Sequence, residues 1–207
     1  MPNWCNNLLT IKSRNKNLLI EVRNSLSNNQ DEDKGLLNYF NPMPEEIRSR
    51  NPGDPTRPKK QEFIQEYGSD NWYDWSVANW GTKWDVTTCH DCQVVGLDDD
   101  TWMLSIQFET AWLPPIQAIK HFVKEKRETI DSMSEDEVFW SVTLQYIEPG
   151  MQFCGVHDFL NTMESFEANF VEEDIIDNLS DYIWLEGEVQ SELEYQKEMD
   201  EEWKETV

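Results

Sequence analysis

Apolar and polar side chains alternate most cleanly in two stretches of the chain. Over residues 102–109, Trp102, Leu104, Ile106 and Phe108 fall on one side, and Met103, Ser105, Gln107 and Glu109 on the other. Over residues 138–147 the inward set is Val138, Trp140, Val142, Leu144 and Tyr146. A period of two predicts strands, because successive strand side chains point to opposite faces of a sheet. Shorter alternations predict strands over 7–12 and 83–88; in the second, Trp84 and Val86 alternate with Lys83, Asp85 and Thr87. Helical spacing appears twice. Leu18, Leu19, Val22 and Leu26 form one stripe, and Ile116, Ile119, Phe122 and Val123 form another that Pro114 and Pro115 open.

These elements follow one another as strand, helix, insertion, strand, strand, helix, strand, with Asp98, Asp99 and Asp100 as turn chemistry between the second and third strands. That order predicts an α+β fold of the ferredoxin-like, split βαβ kind, with two helices on one face of a four-stranded antiparallel sheet. The other face would be open and mostly polar: Lys83, Asp85, Thr87, Met103, Ser105, Gln107, Glu109, Phe139, Ser141, Thr143, Gln145 and Ile147. The insertion covers residues 30–82. Its proline-rich part, 41–58, reads as an extended loop, whereas Phe63, Tyr67, Trp72, Trp75 and Trp80 recur at roughly helical intervals. After Glu148-Pro-Gly150, residues 153–159 and 165–170 predict a further hairpin. Residues 1–170 thus form the α+β domain, and 171–207 an acidic helical extension with the stripe Ile175, Ile176, Leu179, Ile183 and Trp184.

Charge narrows the partners. The net charge of −24 comes from 41 acidic and 17 basic residues, and residues 158–207 hold 17 of the acids against Lys197 and Lys204 alone. Such a field repels phosphate backbones within a Debye length of about 8 Å, so direct nucleic-acid binding is not expected. Neither is a membrane span or a signal peptide, as no run of about 18 apolar residues exists and the start MPNWCNNLL has no basic or apolar leader region. The expected compartment is the cytoplasm, with Cys5, Cys89, Cys92 and Cys154 as free thiols.

Several motifs recur in the order found in a known family. Met1-Pro-Asn-Trp-Cys-Asn-Asn7, Asn41-Pro-Met-Pro-Glu45, Asn79-Trp-Gly-Thr-Lys-Trp-Asp85, Phe108-Glu-Thr-Ala-Trp-Leu-Pro-Pro115 and Tyr146-Ile-Glu-Pro-Gly150 together resemble the YubB-like ferredoxin-fold family of conjugative plasmids and bacteriophages. The resemblance spans residues 1 to about 155. It implies a ferredoxin-like core and a mobile-element origin, and carries over no catalytic residue.

Candidate chemistry concentrates around Gly81, which permits a tight turn and gathers Trp80, Lys83, Trp84 and Asp85. The tryptophans would stack on a planar ligand, Lys83 would meet an anionic group and Asp85 would accept a hydrogen bond; against this, the same tryptophans would close a core. Glu109 and Trp112, at the exit of the third strand, complete the set. Glu109 and Glu148 are expected at opposite ends of the sheet, which disfavours an acid/base pair. Cys89-His-Asp-Cys92 has the spacing of half a zinc site but no second close pair, so no metal is expected. Phosphate-cradling, dinucleotide and hydrolase signatures are missing, and no cofactor is expected. The leading expectation is a non-enzymatic accessory protein that binds a host protein or a small anionic metabolite or nucleotide. The alternatives are an acidic nucleic-acid mimic acting on a host defence enzyme, and an enzyme with an unfamiliar site on the open sheet face.

Overall fold

The computed structural model describes residues 3–27, 35–53, 59–98, 100–129, 139, 141–160, 165–170 and 179–206. The strands are β1 (Trp4–Ser13), β2 (Asp91–Gly96), β3 (Trp102–Ala111), β4 (Ser141–Glu148), β5 (Phe153–Asp158) and β6 (Phe166–Asn169). They form one six-stranded antiparallel sheet in the order β2-β3-β1-β4-β5-β6. The helices are α1 (Lys16–Ser27), α2 (Leu36–Phe40), α3 (Glu45–Arg48), α4 (Lys60–Tyr67), α5 (Trp72–Trp80), α6 (Ile116–Thr129) and α7 (Ile183–Thr206).

Register explains why β1 is central. Leu9 lies between Ile106 and Leu144, and Ile11 between Leu104 and Val142, so one face of β3, β1 and β4 is apolar across these rows. Leu18, Leu19 and Val22 of α1 and Ala118, Ile119 and Phe122 of α6 cover it, all of them buried. Each such large side chain contributes roughly 1.5–3 kcal/mol on full burial. Asn15 sets the start of α1, its side-chain oxygen accepting from the Leu18 amide at 3.1 Å.

Four expectations need correction. Residues 83–88 form no strand, and the edge strand beside β3 is β2, eight residues further on. The alternation there has a different cause: the Asp85 carboxylate and the Val86 carbonyl are taken by the backbone of residues 35–38, so the segment anchors α2 rather than a neighbouring strand. Glu109 and Glu148 lie at the same end of the sheet, not at opposite ends, because β3 and β4 both run antiparallel to β1 and hence parallel to each other. They point to opposite faces; Glu148 is fully buried, and its carboxylate accepts from the amides of Gly150 (3.2 Å) and Met151.

The face expected to be open is partly covered. Ile147 joins Cys154, Val156, Phe170, Leu179, Leu185 and Val189 in a second, smaller core beneath α7. Phe139 is buried on the helix side instead, its ring 5.8 Å from that of Phe122. Finally, the proline-rich stretch is not wholly extended, because α3 forms within it. Pro44 serves as its N-cap residue, Glu45 and Glu46 occupy its first turn, and Ile47 is completely buried. The strand pattern on Val138 and Trp140 and the stripe on Ile175 and Ile176 lie outside the described residues.

Candidate functional site

Helix α5 builds the site from below. Its N-cap is Asn71, whose side-chain oxygen accepts from the Asp74 amide at 3.0 Å. It ends at Gly81, which adopts φ +90° and donates its amide to Val77; a β-carbon there would sit 3.1 Å from the Pro114 carbonyl oxygen. The chain beyond is pinned twice. The Thr82 hydroxyl donates to the Ala111 carbonyl at 2.7 Å, and the Ser76 hydroxyl to the Lys83 carbonyl at 2.9 Å.

Lys83 is thereby delivered among aromatic rings. Its ammonium nitrogen lies 4.4 Å from the centre of the Trp84 ring, 5.1 Å from Trp112 and 5.7 Å from Tyr73, within the range of cation–π attraction. Trp112 reaches this position with φ +70°, a left-handed conformation that is uncommon for a bulky residue and costs on the order of 1–3 kcal/mol. Its amide donates to the Asn3 carbonyl at 3.0 Å. Trp4 continues the aromatic surface, 6.1 Å from Trp84.

Beside this cluster opens a cleft of about 360 Å³ whose walls include Arg48, Trp72, Trp80, Lys83, Trp84 and Asp85. Arg48 comes from α3; its guanidinium donates to Asn38 Oδ1 at 2.6 Å and pairs with Glu45 at 3.5 Å. Trp80 is only 2% exposed, stacked edge-on against Trp75 and donating its indole N–H to the Asn41 carbonyl at 2.8 Å. It is a wall rather than a movable stacking platform. Trp84, 39% exposed, is free to serve as one.

Asp85 has a structural task. Its carboxylate accepts from the amides of Gly35, Leu37 and Val86 at 2.8 Å and of Asn38 at 3.3 Å, capping α2 from a distant part of the chain. Burial pushes its carboxyl up from the ordinary aspartate value, against the opposing pull of those four amides. Gly35 must be glycine for this docking, because a β-carbon would fall 2.0 Å from the Val86 carbonyl oxygen.

Glu109 stands outside the cleft. It pairs with His90 at 3.6 Å and lines an adjoining cavity of about 250 Å³, which shares Trp84 and Asp85 as walls. Four of the six residues singled out in the sequence therefore border one cleft, Trp112 supports Lys83 from beside it, and Glu109 faces the neighbouring cavity. Arg48 and Trp72 are additions. No sequence signal placed Arg48 near Lys83, since the short helix that carries it lies inside the proline-rich stretch.

No cluster suited to a metal ion occurs among the described residues. Cys89 and Cys92 are free thiols, and burial pushes Cys92 up to about 11, so it stays protonated at neutral pH and is a poor nucleophile. No described helix is long and apolar enough to cross a membrane. No protein-family model, curated protein or solved structure matches the chain.

Proposed function

We propose that the protein is a non-enzymatic binding module for a small planar anion, of the nucleobase-phosphate class, taken up in the cleft between Trp72 and Trp84. The observation that carries this reading is the convergence of two cations, Arg48 and Lys83, on an indole-lined cleft in a chain of net charge −24. Trp84 would stack on the ligand's ring, and Lys83, held in place by three aromatic neighbours, would meet its anionic group. The volume fits, since about 360 Å³ is at the lower end of the roughly 300–1,000 Å³ of small-molecule sites. Asp85 does not contact the ligand in this reading; it holds the wall.

We further propose that the core is ferredoxin-like. The order β2-β3-β1-β4, with α1 and α6 as the two crossovers on one face, supports this. The resemblance of its motifs to those of YubB-like proteins supports a role as an accessory protein of a plasmid or phage, acting in the host cytoplasm.

Calorimetric titration with AMP, GMP and CMP tests the site. At least one should saturate at one equivalent, and Lys83→Gln should weaken it about tenfold or more, the range expected for losing one charge-assisted hydrogen bond. Glu109→Gln should leave the affinity unchanged. Loss of binding through Glu109→Gln but not Lys83→Gln would move the site to the other cavity.

A further inference from the structure

Helix α7 outruns the sheet it packs on. Leu185 and Val189 are completely buried and Leu193 partly so, an i, i+4, i+8 series seated on β4, β5 and β6. Among the described residues, contact with that core ends near Leu193, yet the helix continues to Thr206. At 1.5 Å per residue, about 20 Å of helix extends past its own core. Tyr195, Met199 and Trp203 repeat the same spacing on this part and are 57%, 48% and 71% exposed. An exposed apolar series at helical spacing is the recognition pattern of a helix that lies in a partner's groove.

Charge selects the partner. Residues 192–203 carry six acids, Glu192, Glu194, Glu198, Asp200, Glu201 and Glu202, against Lys197 alone. Two such helices would repel each other, so a second copy of this chain is disfavoured. An apolar groove edged with lysine or arginine is complementary on both counts.

We propose that the distal half of α7 is a docking helix for a basic protein, with Tyr195, Met199 and Trp203 as anchors in an apolar groove and the surrounding carboxylates facing its basic rim. The contact is distinct from the cleft and does not depend on it. It also differs from a purely electrostatic mimic of nucleic acid, for which the apolar series would be irrelevant.

Two synthetic helical peptides of equal positive charge separate these readings: an amphipathic lysine/leucine peptide and a lysine/serine control, each titrated calorimetrically into the full chain. The expected result is that the lysine/leucine peptide binds about tenfold or more tighter than the control. The triple variant Tyr195→Ala, Met199→Ala, Trp203→Ala should erase that difference and keep the weak, salt-sensitive binding common to both. All three side chains are exposed, so the variant should retain the wild-type circular dichroism and melting temperature, and light scattering should give a monomer at all concentrations. Equal affinities for the two peptides, or a preference that survives the triple variant, would overturn the proposal in favour of charge alone. A dimer that the triple variant dissolves would assign the surface to a second copy instead.

Discussion

Single residues in this protein do work that their chemical type does not announce. Asp85 reads as a ligand-binding carboxylate beside Lys83 and Trp84, yet it caps a helix from some fifty residues away in the chain. Backbone amides separated by that distance have no sequence signature, so the role was invisible until the fold brought them together. Lys83 and Trp84 were legible because a glycine-terminated helix followed by lysine and tryptophan has a local meaning. His157 is a third case. Half-buried on β5, it packs its ring 4.6 Å from Phe159 and feels Lys120; burial first and that charge second lower its pKa. A lowered folded value means that the unfolded chain takes up the proton first. The stability His157 contributes is therefore whole above the unfolded value near 6.5 and is lost as pH falls below it. Thermal melts between pH 7 and pH 5 should show a falling midpoint, with a shallower fall for His157→Phe. Parallel slopes would exclude this residue as the cause.

At the level of elements, strong periodicity was trustworthy and weak periodicity was not. The ten-residue strand β3 and the helices α1 and α6 appear where alternation and helical stripes put them, because their side chains face a single core. The six-residue pattern at 83–88 misleads, as Trp84 and Val86 set between polar residues arise equally from a loop, here one that buries Val86 and leaves Trp84 exposed. The edge strand on that side, Asp91–Gly96, is only half-buried on one face, through Cys92 and Val94, and exposed on the other, so its short alternation gives little pattern to read. Helices α2 and α3 are too short for periodicity; tertiary contacts made by Leu36, Phe40 and Ile47 define them. Helix α2 in particular depends on Asp85. Replacing Asp85 by alanine strands up to four amides in a largely buried position, with an expected loss of about 2–4 kcal/mol in denaturant unfolding. An unchanged midpoint would mean that α2 is held by its apolar face alone.

Across the whole molecule, charge and shape divide the labour. The acidic residues concentrate toward the C-terminal part, while the cleft collects Arg48 from within the insertion and Lys83 from just after it. Net charge argues against a nucleic-acid backbone as partner; the fold makes room for a small anion by bringing a cation from α3 into the same cleft as one after α5. The sequence pattern also implied a bare polar sheet face, and α7 covers part of it because Ile147, Cys154 and Val156 form an apolar patch that only the strand register puts together. The proposed function turns on whether that local cationic, indole-lined cleft takes an anionic planar ligand. Indole-nitrogen-labelled tryptophan spectra, recorded during titration with AMP, address this most directly. The Trp72 and Trp84 indole resonances, assigned by single tryptophan-to-phenylalanine variants, should shift and saturate together while that of Trp203 stays fixed. Shifts confined to Trp203, or none in any indole at millimolar ligand, would contradict it.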